Sequence, residues 1–129
     1  MRRLCLLGVL CLLAAPLSAS AAPPVRNFVV FFQQWSAAIG PSARTVIARA
    51  AAWAKAHPAA PVTVTGAADR TGAHRANQLL SELRAQVVAD RLAQQGVAAG
   101  RVTQRALGAV GVDPKSQMSR RAIISIGAH

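Results

Sequence analysis

The stretch GAADRTGAHRANQLLSELRAQVVADRLAQQGV, residues 66–97, decides how the rest of the chain is read. It opens with a loop bounded by Gly66 and Gly72 and carrying Asp69. From about residue 73 to 95 the pattern is helical, with Leu79, Leu80, Leu83, Val87 and Leu92 recurring on one apolar side. Gly96 stands where a helix commonly ends in a left-handed residue. Asn77, Ser81 and Arg84 fall at i, i+4 and i+7 on the same helix, a single polar stripe beside the apolar one.

Before this stretch, Val62 and Val64 alternate with Thr63 and Thr65, the period of a half-buried strand that Gly66 closes. Pro41-Ser42 starts an earlier helix on which Val46, Ile47, Ala50, Trp53 and Ala54 recur, and Pro58 cannot continue it. Residues 25–32 are β-branched and aromatic, a first and largely buried strand, followed by a loop over 33–40. Beyond Gly96, residues 102–107 and 121–126 are two further strands separated by a loop with Gly108, Gly111 and Pro114. The order strand, helix, strand, helix, strand, strand predicts an α/β (α+β) two-layer sandwich, βαβαββ, with both helices on one face of a mixed sheet.

The N-terminus has a different character. Arg2 and Arg3 precede an apolar run from Leu4 to about Ala15, and Ala19-Ser20-Ala21 fits the small-x-small cleavage rule of a secretory signal peptide. The run is roughly a dozen residues, against about 20 for a bilayer-spanning helix, so cleavage is expected rather than a retained anchor. The expected division is a signal peptide over 1–21 and one domain over 22–129, with no transmembrane span in the mature chain. Cys5 and Cys11 both lie in the removed segment and outside a lipoprotein-processing context, so the domain must rely on a packed core and not on disulfides. Without Arg2 and Arg3, 13 basic residues face 4 acidic ones, a net charge of +9. That balance points to an anionic partner, and export makes cell-wall polymer or an acidic membrane surface a better fit than nucleic acid.

The positions Gly66, Asp69, Gly72, Asn77, Leu80-Ser81 and Arg84-Ala85 resemble the signature of the OmpA-like C-terminal domain family. The likeness extends to Val88, Leu92, Gly96, Arg101 and the pair Arg120-Arg121, and covers about residues 25–127. It implies a location in the periplasm, free or associated with the outer membrane, and non-covalent binding of peptidoglycan at the diaminopimelate residue of the stem peptide. Asp69 would hold the ligand's ammonium group and Arg84 its carboxylate, with Asn77, Ser81, Gly72 and Arg121 completing the ligand-binding set. No cofactor is implied. Where the family commonly has a His-Thr pair this chain has Ala67-Ala68, which removes hydrogen-bonding capacity before the aspartate. The alternative is the same fold with a decayed pocket, acting as an adaptor for an envelope protein.

The residue types suit the family's ligand on their own terms. A zwitterionic amino-acid head needs one anionic acceptor and one planar cationic donor, and Arg pairs bidentately with a carboxylate as Lys cannot. Gly66 and Gly72 permit the loop to fold back over the helix and bring Asp69 to Arg84. Taken singly, Asp69 reads first as a cap or turn residue, and Arg84 as a surface charge or an ion-pair partner of Glu82 or Asp90.

Other chemistries find little support. His57, His74 and His129 have no ligand spacing for a metal, and no Gly-x-Ser-x-Gly elbow is present. Four acids leave little choice for a paired-carboxylate hydrolase, so no catalytic residue is expected. Nor does a phosphate-cradling glycine loop or an RNA-binding aromatic motif accompany the basic excess. Trp53 is expected in the core. Trp35 is either an aromatic platform for sugar or, more commonly for such a residue, a seal on the core's edge.

Overall fold

The computed structural model describes residues 24–111 and 117–127; the expected signal peptide and Pro114 lie outside them. The elements are β1 (Arg26–Phe31), α1 (Pro41–Ala56), β2 (Val62–Ala68), α2 (His74–Gln94), β3 (Val102–Ala109) and β4 (Arg121–Ile126), with single 3₁₀ turns at Ala99–Arg101 and Gln117–Ser119. The expected βαβαββ order is what the chain adopts. The strands lie in the order β1-β4-β2-β3, so the last strand is inserted between the first two. β4 runs antiparallel to both neighbours, whereas β2 and β3 are parallel.

Strand alternation decides which face is covered. Phe28 pairs with Ile124 and Val30 with Ala122, while Val62 and Val64 meet Ile126 and Ile124 from the other side. All of these are buried, and with Ile47, Ala50 and Ala54 of α1 and Ala85, Val88 and Leu92 of α2 they form one core. Their strand neighbours Val29, Thr63, Thr65, Ile123 and Ser125 are half-buried on the opposite face. Both helices thus cover the same side of the sheet, α1 against β1 and β4, α2 against β2 and β3.

The first turn of α1 has an extended Gly40 as N-cap and Pro41, whose fixed φ suits a helix start. At the far end Arg101 gathers the carbonyls of Ala54, His57 and Ala60 at 2.7 to 2.9 Å, tying the end of α1 to the start of β3. The terminus of α2 is closed by Gly96 at φ 96°, with bonds from Gly96 N to Ala93 O and from Val97 N to Leu92 O, both 3.0 Å. Those two bonds and the buried Leu92 and Val97 make a Schellman cap.

Two expectations are corrected here. β2 does not stop at Gly66 but runs on to Ala68, with a register shift against β3 between the two. Gly66 is a close-approach position instead: a Cβ there would stand 2.0 Å from Ser81 O and 3.0 Å from Ala85 N. That proximity also re-phases α2. Its buried face is Asn77, Ser81, Arg84, Ala85, Val88, Ala89 and Leu92, while Leu79 and Leu83 are about half exposed, at 53% and 51%. Where the helix backbone nearly touches β2 there is no room for leucine. Ser81 fits because its hydroxyl donates to Gln78 O at 2.8 Å and accepts from Gly108 N of β3 at 2.9 Å.

Replacing Gly66 by Ala therefore forces α2 away from the sheet. The expected cost is about 3 kcal/mol, as for overpacking in a closed interior, read as a lower urea midpoint with an unchanged slope.

Candidate functional site

Arg84 is fully buried, at 0% exposure, on the inward face of α2. A buried guanidinium is tolerable only if its donors are satisfied. Here Nε donates to Ser36 O (2.9 Å), Nη1 to Ala67 O (2.9 Å) and Nη2 to Gln33 O (3.0 Å), and the cation lies 5.2 Å from the centre of the Phe32 ring. Burial pushes its pKa down to about 10, with Arg120 adding to the effect and Asp69 opposing it, so it stays charged at neutral pH. One side chain thus ties three segments together: α2, the end of β2 and the loop after β1.

The grip on that loop has a local consequence. Gln33 O and Ser36 O are held from below, Ser36 N closes a turn onto Gln33 O at 3.2 Å, and between them Trp35 takes φ 55°. Such a conformation is strained for a bulky residue and is held by its surroundings.

Asp69 follows β2 directly and is buried, at 4% exposure. Its Oδ1 accepts from Thr71 N at 3.1 Å and from the Thr71 hydroxyl, and its Oδ2 pairs with Arg120 Nη1 at 3.4 Å. Burial raises the carboxyl's pKa, but the two Thr71 bonds and Arg120 outweigh it and leave the group below the ordinary carboxylate value. Gly72, at φ 85°, lies under the Trp35 ring, where a Cβ would come within 2.3 Å of it. Gln34 Nε2 reaches Thr71 Oγ1 at 3.4 Å, a second link between the two loops.

The remaining expected residues divide. Asn77 is buried at 2% exposure and among the described residues its Oδ1 has no hydrogen-bond partner, leaving an acceptor near the start of α2. Ser81 is occupied between α2 and β3, as above. Arg121 turns back on its own approach, donating to Met118 O, and is not the arginine at Asp69. That role falls to Arg120. Strand alternation carried the signal: Ala122, Ile124 and Ile126 face inward, and position 120 continues their side. Thr71 was not singled out from sequence, although a threonine two residues after an aspartate is a familiar turn partner. Ala67 and Ala68, buried at the end of β2, serve through their backbone: Ala67 O accepts from Arg84 and Ala68 O from Val110 N at 2.8 Å.

Asp69, Arg84 and Arg120 are therefore within electrostatic reach of one another at one end of the sheet. The cluster offers charge complementarity to a small zwitterion. Among the described residues, no group of three His, Cys, Asp or Glu side chains could hold a metal. Trp53 lies at the edge of the core, with His57 stacked at 4.2 Å and Arg26 over its ring at 4.4 Å.

Lysine in place of Arg84 can serve at most a point contact, so Arg84→Lys is expected to lose about 3 kcal/mol by leaving carbonyls unsatisfied, measured by urea unfolding. Asp69 makes a distinct pH prediction. Its folded pKa is depressed, so the stability it contributes is full above the unfolded value and disappears as pH falls through the folded one. The acid limb below about pH 4 should be shallower in Asp69→Asn than in the wild type.

Comparison with known proteins agrees with this architecture. The OmpA family model matches residues 31–122. The probable lipoprotein YiaD of Escherichia coli (strain K12) is 38% identical over 79 residues, 61% of this chain and 36% of its own length. The peptidoglycan-binding protein ArfA of Mycobacterium tuberculosis is 36% identical over 91 residues, 70% of this chain and 28% of its own. The chain thus spans about a third of the length of the curated relatives it matches. Among solved structures, the peptidoglycan-associated lipoprotein of Burkholderia pseudomallei superposes with a TM-score of 0.70 at 25% identity, covering 77% of this chain and 89% of that one. By sequence and by fold, the chain belongs to the OmpA family.

Proposed function

We propose that this protein is a non-catalytic peptidoglycan-binding domain of the bacterial periplasm, holding itself or an envelope partner to the wall through the diaminopimelate residue of the stem peptide. The observation that carries the reading is a shielded carboxylate, Asp69, beside two guanidinium groups. Asp69 receives the ligand's ammonium group, exchanging its contact with Arg120 for one with the ligand. The ligand's carboxylate is taken by Arg120 and, once the Asp69–Arg120 contact has opened, by Arg84, which is fully buried in the closed site: three of the five N–H bonds of Arg84 are committed to carbonyls, which leaves one on each terminal nitrogen. Asn77 Oδ1 supplies a further acceptor, and Gly72 shapes the loop. The names of ArfA and of the Burkholderia lipoprotein, both of which speak of peptidoglycan, support the ligand class. The net charge of +9 on residues 22–129 adds a salt-sensitive attraction to an anionic wall.

A second reading, an adaptor for an envelope protein on the same fold, is favoured by Ala67 and Ala68, whose side chains offer the site no hydrogen bond.

Co-sedimentation with purified peptidoglycan separates them. Wild type is expected to pellet even at about 0.5 M salt, where exposed charge is screened within a few ångströms, and folded Asp69→Ala to remain in solution. Equal behaviour of both proteins would favour the adaptor.

A further inference from the structure

Trp35 has no part in the site as described, and its setting differs from that of a core seal. It is 52% exposed and lies outside the hydrophobic core, whereas Trp53 packs against that core. The backbone at Trp35 is in the left-handed region, and the carbonyls on either side of it, of Gln33 and Ser36, are fixed by the buried Arg84. Beneath its ring is Gly72, where the ring leaves no room for a side chain. The chain thus spends a strained residue and a glycine on seating an indole that keeps half its surface in solvent. Gly72 is three residues from Asp69, and the hydrogen bonds from Gln34 to Thr71 and from Thr71 to Asp69 join the two loops. A rigid, exposed aromatic face therefore stands at the edge of the carboxylate site.

We propose that Trp35, seated on Gly72, is a platform for an N-acetylated amino sugar of the glycan strand, so that the site reads the junction between sugar and stem peptide. The inference rests on the peptidoglycan reading above. A stem peptide held at Asp69 is covalently joined to a sugar, so a neighbouring surface matched to a pyranose meets its ligand without a second binding event. The face of an indole is electron-rich, and the axial C–H groups of a pyranose present a weakly positive apolar face that stacks on it. Aromatic rings are also inexpensive anchors, because few torsions must be fixed. A ring already held by Gly72 and by the Arg84-bound turn loses still less freedom on binding.

The test uses protein expressed from the full 129-residue sequence. Calorimetry compares binding of a disaccharide–tetrapeptide with binding of the free tetrapeptide, for the wild type, Trp35→Phe and Trp35→Ala. The disaccharide is expected to improve wild-type affinity about tenfold, the scale of one aromatic stacking contact. Trp35→Ala should erase that increment and leave free-tetrapeptide affinity unchanged, with Trp35→Phe retaining part of it. A fluorescence arm uses Trp53→Phe, which leaves Trp35 as the sole tryptophan of the two in the chain; its emission should respond to the disaccharide–tetrapeptide and not to the free peptide. Free-peptide binding with no sugar increment, or an equal loss of both ligands in Trp35→Ala, overturns the proposal while the peptidoglycan reading stands. If the wild type binds neither ligand, both fall.

Discussion

The rest of the structure depends on one buried cation bonded to three backbone carbonyls. Among the described residues Arg84 has no direct carboxylate partner; its charge is met by Ser36 O, Ala67 O and Gln33 O and by the face of Phe32. Those carbonyls belong to segments far apart in sequence, so the guanidinium sets where the loop after β1 sits relative to the end of β2. Only arginine has the geometry for this, with donors spread in a plane to reach three acceptors at once. The architecture around Asp69 and the turn at Trp35 both follow from that placement. An element with a ligand role in the proposal is thus also a structural fastener, and the two roles use different N–H bonds of the same group.

Close approach of α2 to the sheet is the second constraint, and it explains why the inner surface of the helix has no large apolar side chain beside Gly66. Gly66 leaves the space, Ser81 and Ala85 occupy it, and the serine hydroxyl joins the helix to β3 through Gly108. The Ser81 hydroxyl is stable in such a position because it has one partner within the helix and one on the sheet. Further along the helix, Val88 and Leu92 return to the ordinary apolar pattern and join the main core. The helix therefore changes character along its length, polar at the end that carries the site and hydrophobic at the end capped by Gly96.

This change of character marks where sequence reasoning succeeds and where it fails. Elements with a strict period were legible: Val62 and Val64 against Thr63 and Thr65, the α1 pattern ending before Pro58, and the Gly96 cap all appear as expected. Hydropathy alone sends Leu79 and Leu83 inward and Arg84 outward, and the structure does the reverse at that end of α2. The information needed was tertiary, since the carbonyls that accept from Arg84 are up to 51 residues away. Gly66 misled for a related reason: a glycine required for proximity looks like a glycine required for a turn. The arginine at Asp69 was recoverable by extending the β4 alternation back one step, because position 120 shares a side with Ala122.

The strand order has a consequence for how the chain comes into being. β4, the last of the four strands to be synthesised, occupies the middle of the sheet, between β1 and β2. Until it arrives, β1 has no neighbour, and the parallel pair β2 and β3 has one open edge where the centre should be. Pairing of the first strand with the last also gives the longest loop to close, a slow step in any chain. Such a topology postpones commitment: the sheet cannot close until β4 is available to join β1 to β2.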